Sequence, residues 1–205
     1  MKTLLYNRLL NYNFEELFKQ KGYAYFTKGT YNLNIIGVRS NNNNKVTNQF
    51  DDYLVVIYRT NDNKFVRQIY TITTEPGLYY MAQHLMNPKG TAILVPGQYR
   101  GCWQIGKHRG KYEALCQKKS IKVYRDGNMD RVYNLRPETI DNGIFGLNIH
   151  RASQNYTVTN VDKYSAGCQV FNKPQEFNSF MRLCRLQKDI YGNSFTYTLI
   201  KEEDL

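Results

Sequence analysis

Four short runs rich in β-branched and aromatic residues follow one another early in the chain: YAYFT at 23–27, YNLNIIGVR at 31–39, YLVVIYR at 53–59 and FVRQIYTITT at 65–74. Such side chains fit a pleated, half-buried surface, so these runs are expected to be strands. Between the second and third lies SNNNNKVTNQ, whose consecutive Asn residues favour a solvated loop. Glu75-Pro76-Gly77 stops the fourth run, LYYMAQHLM predicts a short helix, and Asn87-Pro88-Lys89-Gly90 turns the chain again. TAILVPGQY reads as a further strand ending at Pro96-Gly97, and shorter ones are expected at 121–124, 145–150 and 194–200.

Helices are expected at the two ends. Leu4, Leu5, Leu9, Leu10, Phe14, Leu17 and Phe18 recur at helical spacing and predict one helix ending near Gly22. In residues 174–192, Pro174 suits a first turn, Phe177, Phe180, Met181, Cys184 and Ile190 share a face, and Gly192 closes the helix. The expected fold class is therefore mainly β with flanking helices, a sandwich or a barrel. A length of 205 residues fits a single domain, residues 1–205.

With 18 Tyr and 10 Phe there is enough bulky apolar material to exclude global disorder. A formal charge of +11 attracts polyanions, whether nucleic acid, anionic wall polymers or lipid headgroups, and does not choose among them. No apolar run approaches the roughly 20 residues that cross a bilayer, so no membrane span is expected. Asn7 and Arg8 interrupt the N-terminal leucines before a signal-peptide core forms, which predicts synthesis in a cytoplasm without a clear signal peptide. Cys102, Cys116, Cys168 and Cys184 form no CxxC pair and precede no His cluster, so free thiols are expected rather than a zinc knuckle or disulfide scaffold.

The chemistry concentrates in residues 143–171. Asn148-Ile149-His150 ends an apolar run, and Ser165-Ala166-Gly167-Cys168 follows it. A Cys with a His in reach can attack a carbonyl carbon as thiolate, the imidazole taking the proton and later returning it to the leaving amine. Gly167 allows close backbone approach, so its N–H and that of Cys168 are candidate oxyanion donors. The pattern resembles the signature of the L,D-transpeptidase catalytic domain, the YkuD-like family, in which a strand-ending His precedes a loop and a Ser/Thr-x-Gly-Cys turn. TITTEPG and Asn87-Pro88-Lys89-Gly90-Thr91 are similar to a second segment of that family.

The resemblance implies a YkuD-like β-sandwich catalytic domain over 51–205, with residues 1–50 as a helix-and-strand extension. It implies that Cys168 is the nucleophile, that His150 is the base, that Ser165 orients His150 through its backbone carbonyl, and that no cofactor or metal is required. Peptidoglycan stem peptides are the implied partner. Ala166 stands where many members carry His, and Gln169-Val170 where an apolar residue and then Arg or Asn are common. Asn-, Tyr- and Lys-rich usage suggests an AT-rich genome and a phage-encoded member, acting at the cell wall or periplasm, free or packaged in a virion.

Other motifs carry less. Arg100-Gly101-Cys102-Trp103 faintly resembles the start of a papain-like or NlpC/P60-like site, but the glycines in WQIGKHRGK make a poor helix, and a packed thiol beside a buried Trp is expected. Asp126, Asn128 and Asp130 alternate as in a calcium loop, yet Arg131 and Pro137 occupy the positions that need Gly and Glu, so a polar turn is expected. His84 and His108 lack a ligand partner in sequence and are expected at the surface or in a groove. Lys107, Arg109, Lys111, Lys118, Lys119 and Lys122 form a basic stretch, of the kind that is usually a solvated face and that beside an active site could hold an acidic glycan peptide. No recognition helix or RNP-like run supports specific nucleic-acid binding. The rival reading is a catalytically silent phage structural or wall-binding protein of the same fold; the oligomeric state stays open.

Overall fold

The computed structural model describes the backbone of residues 2–205 and the side chains from Leu4 onward. Two N-terminal helices, α1 (Lys2–Asn11) and α2 (Phe14–Gln20), lead into three strands, β1 (Asn34–Arg39), β2 (Asp52–Arg59) and β3 (Phe65–Thr73). A short helix α3 (Leu78–Ala82) precedes β4 (Thr91–Leu94), β5 (Gly97–His108), β6 (Tyr112–Gln117), β7 (Ile121–Asp126) and β8 (Asp141–Gly143). The last elements are β9 (Ile149–Arg151), β10 (Gln169–Phe171), the long helix α4 (Pro174–Tyr191) and β11 (Phe195–Lys201). Eight strands close into a barrel in the order β1-β11-β5-β6-β9-β10-β3-β2, and β4, β7 and β8 form a separate small sheet. The mainly β class with helices is therefore present, and the larger sheet closes on itself.

Burial on both faces explains why β1 and β2 read as nearly unbroken apolar runs. Ile35, Leu54 and Val56 point into the main core with Trp103, Leu115, Phe171 and the α4 residues Phe177, Phe180, Met181 and Cys184. Alternate residues Ile36, Val38, Tyr53, Val55 and Ile57 pack outward against Leu5, Leu9, Phe14, Leu17 and Phe18 of α1 and α2. Each such fully buried side chain contributes about 1.5–3 kcal/mol. Because β1 pairs with both β2 and β11, residues 34–39 are a stave of the barrel and not an appendage to it.

Several expectations change. The N-terminal helix is two helices, because the Asn13 side chain accepts the Glu16 N–H at 3.2 Å and starts a new one. YAYFT is not a strand: its backbone groups pair with side chains, Ala24 with Gln98 at 2.8 and 2.9 Å and Phe26 with Asn34 at 2.8 and 2.9 Å. Residues 145–148 are not strand either, since the Phe145 and Leu147 N–H groups donate to Gln117 Oε1 at 3.0 and 3.1 Å. Ile190 leaves the buried face of α4 and is 50% exposed. The β5–β6 hairpin and β10 are elements the sequence pattern did not announce.

The barrel closes unevenly. Strands β2 and β3 pair over their whole length, whereas β6 meets β9 through the single pair Leu115↔Ile149. Side chains complete this seam: Trp103 Nε1 donates to Leu147 O at 2.8 Å, and Asn148 Oδ1 accepts the Gln117 N–H at 2.9 Å.

Candidate active site

Cys168 and His150 are brought together by the parallel pairing of β9 with β10. Ile149 is the register partner of Gln169, so the thiol stands at the mouth of β10 beside the strand that carries the imidazole. Both side chains line one cavity of about 420 Å³, walled also by Thr91, Ala92, Gly146, Asn148 and Tyr164.

The turn before the thiol is tightly constrained. Ser165, fully buried, donates its Oγ–H to Cys168 O at 2.8 Å and accepts the Gly167 N–H at 3.1 Å. Gly167 adopts φ +117°, and a Cβ there would lie 2.2 Å from Ala92 O, so no other residue fits. Gln169, where the family pattern has an apolar residue, is fully buried: its Nε2 donates to Gly167 O at 3.1 Å and its Oε1 accepts the Tyr197 hydroxyl at 2.7 Å. Gly77 of the TITTEPG segment donates its N–H to Ser165 O at 2.9 Å, and a Cβ on it would lie 2.2 Å from Asp162 O.

These contacts correct two expected roles. Ser165 uses its carbonyl for Gly77, and His150 is oriented by its own neighbour: Nδ1 lies 2.9 Å from Arg151 O, with the Tyr112 hydroxyl 3.3 Å away. A carbonyl only accepts, so Nδ1 carries the proton and Nε2 is the basic nitrogen. The Gly167 N–H is taken by Ser165, whereas the Cys168 N–H makes no hydrogen bond among the described residues and is the turn's remaining candidate oxyanion donor.

His108 is the residue that the sequence reading underrated. It ends β5, lines the cavity and is only 7% exposed. Its ring stacks on that of His150 with centroids 4.0 Å apart and planes at 21°. The Asn148 amide is fixed by the Gln117 N–H on its oxygen, so Nδ2 is the atom that donates to His108 Nδ1, at 3.0 Å. Neutral His108 therefore carries its proton on Nε2, the opposite tautomer to His150. The hairpin brings this residue to the cavity: Arg109, Gly110 and Lys111 form its three-residue loop, the first two at φ +51° and +72°, with His108 paired to Tyr112. Holding Arg109 left-handed costs about 1–2 kcal/mol. His84 is exposed, as expected.

Burial keeps the Cys168 thiol and the two stacked imidazoles uncharged at rest. Burial pushes His150 down to about 3, with the His108 ring adding to the shift, and burial with Arg109 nearby pushes His108 down to about 4. Burial likewise pushes the Cys168 thiol up to about 11, opposed by the Asn148 N–H on Sγ at 3.4 Å and by Arg109. The Cys168 S–H donates to Gly146 O at 3.6 Å, and no hydrogen bond joins it to His150 among the described residues. The pair is thus a neutral thiol beside a neutral base, and not a resting thiolate–imidazolium pair.

No family model, curated protein or solved structure matches this chain.

The remaining candidates fall where their chemistry is weak. Cys102 lies within β5, 7% exposed and next to the fully buried Trp103, so it opens no helix. Asp126, Asn128 and Asp130 gather around the Asn134 side-chain amide nitrogen, which lies 3.3–3.4 Å from a side-chain oxygen of each. No group of three His, Cys, Asp or Glu among the described residues is placed to hold a metal ion, and none of the described helices is long and apolar enough to cross a membrane.

Proposed function

We propose that this chain is a cysteine acyl-transfer enzyme of the L,D-transpeptidase type, kin to the YkuD-like β-sandwich domains and acting on peptidoglycan stem peptides. The observation that carries the reading is the meeting, in one cavity, of a thiol on a Ser-x-Gly-Cys turn with a histidine whose Nδ1 is locked as donor, leaving Nε2 as base. As Cys168 Sγ bonds to the carbonyl carbon of the L-centre, its proton passes to His150 Nε2 and the carbonyl oxygen becomes an oxyanion beside the Cys168 N–H. Collapse breaks the C–N bond, the amine of D-Ala leaves with the proton from His150, and a thioester remains. Water or an acceptor amine then attacks the thioester, losing its proton to His150, and the thiol is restored. Because both groups rest uncharged, the proton moves as the S–C bond forms rather than before it.

The Asn-, Tyr- and Lys-rich composition supports a phage-encoded member acting at the cell wall or periplasm, with lytic hydrolysis standing equal to cross-linking. The test is intact-mass analysis of the protein mixed with purified tetrapeptide muropeptides: an acyl adduct on Cys168 with release of D-Ala is expected. Unchanged muropeptides and unmodified protein across pH 6–9 would refute it. One observation favours a second reading, a catalytically silent wall-binding protein: the resting thiol is hydrogen-bonded to Gly146 O and not to His150.

A further inference from the structure

The cavity lining contains two arginines, Arg109 and Arg125, and no Asp or Glu. Arg125 is already neutralised, its Nε 3.2 Å from Asp141 Oδ2 and its guanidinium 4.5 Å from the Phe145 ring centre, with Nη1 donating to Gly90 O at 3.2 Å. Arg109 is different. It is exposed at the tip of the β5–β6 hairpin, beside His108, and no carboxylate, carbonyl or ring engages its guanidinium among the described residues. The turn holds it in the left-handed conformation that Asn or Gly adopts more readily, so it stands there against local backbone preference. Its charge reaches the Cys168 thiol and both stacked imidazoles. An uncompensated guanidinium at the rim of an acid-free cavity is a binding element for an anion with planar, paired oxygens.

We propose that Arg109 selects substrates carrying a carboxylate close to the carbonyl that Cys168 attacks. This deepens the acyl-transfer reading and rests on it for the position of the scissile bond. A free-acid stem peptide is then the preferred form, and its amidated counterpart the poorer one. Because the guanidinium is exposed, the preference is moderate and weakens as salt rises.

Two thiol reagents that differ only in this charge test the proposal without requiring turnover. Second-order rates of Cys168 modification by iodoacetate and by iodoacetamide are measured at low ionic strength, with the modified Cys168 peptide quantified by mass spectrometry. In Arg109→Gln the iodoacetate-to-iodoacetamide ratio is expected to fall roughly 2- to 5-fold. The ratio isolates charge recognition from any change in thiol reactivity, which alters both rates alike. Lys107→Gln, on the same hairpin but outside the cavity lining, is expected to leave the ratio as in the wild type. An unchanged ratio in Arg109→Gln, or an equal fall in Lys107→Gln, overturns the proposal. If muropeptides stay unprocessed while the Arg109→Gln ratio falls, anion selection stands and the acyl-transfer reading fails; processed muropeptides with an unchanged ratio give the reverse.

Discussion

Replacing His108 by Phe should make the protein less sensitive to acid. Phe keeps a ring against His150 but cannot bind a proton. In the wild type His108 is held at about 4, against an ordinary value of 6.5, chiefly by burial. Between these values the unfolded chain binds a proton that the folded chain refuses, so stability present above pH 6.5 is lost as pH falls toward 4. At about 1.36 kcal/mol per pH unit, His108 alone costs the wild type about 2 kcal/mol between pH 7 and pH 5. His150, held lower still, adds a similar loss that both proteins share. Buried Glu75, pushed up to about 8 by desolvation, binds its proton more readily when folded and so runs the other way, again equally in both. The Asn148 amide loses its acceptor in the variant, a cost that does not vary over this range and cancels in the comparison. Urea denaturation at pH 7 and pH 5 measures the difference directly: the wild type should lose about 2 kcal/mol more than His108→Phe. Parallel losses in the two proteins would refute the argument, and with it the description of His108 as a neutral buried partner of His150.

Cys168→Ala should abolish acyl transfer with the fold retained, while Cys102→Ala, Cys116→Ala and Cys184→Ala keep activity; an inactive Cys102→Ala would move the chemistry to β5. Gly167→Ala places a Cβ 2.2 Å from Ala92 O at φ +117°. Strain of about 1–3 kcal/mol and overpacking of about 1–3 kcal/mol should lower Tm by roughly 5–20 °C in a thermal melt, and a shift below 2 °C would show that the turn is not tightly packed. The rate of Cys168 alkylation by iodoacetamide should climb on the alkaline side of the ordinary thiol value of about 8.5, because burial raises the thiol. A plateau reached by pH 7 would mean that a thiolate is already present at rest.

Local composition carried the strands whose hydrogen bonds run backbone to backbone. The apolar runs at 53–59 and 65–74 sit in the best-paired part of the barrel, and both are strands. YAYFT has the same composition and fails because Gln98 and Asn34, the second eight residues away and the first far along the chain, take its backbone groups. Residues 145–148 fail for the same reason through Gln117. The tight turn at Gly167 and the nearness of His150 to Cys168 were legible because both lie within one short stretch of chain, 148–168. His108, Tyr112 and Gln117 were not: their roles depend on β6 lying beside β9, a long-range closure that periodicity cannot express. The expected Ser165 contact failed because Gly77, from another part of the chain, reaches that carbonyl first.

Where β6 meets β9, closure rests on particular side chains instead of a repeating ladder, and the same side chains set the thiol's surroundings. Asn148 bridges the two: its side chain takes the Gln117 N–H and holds His108, while its own N–H reaches Cys168 Sγ. Architecture and chemistry therefore share a vocabulary of very few letters at this joint. A descendant of this chain with no use for the proposed acyl transfer could discard the sulfur of Cys168 and keep its barrel. One that altered Asn148 or Gln117 would be revising hinge and blade in a single stroke, so new specificities should arise at the cavity rim around Arg109, whose guanidinium takes no part in that joint.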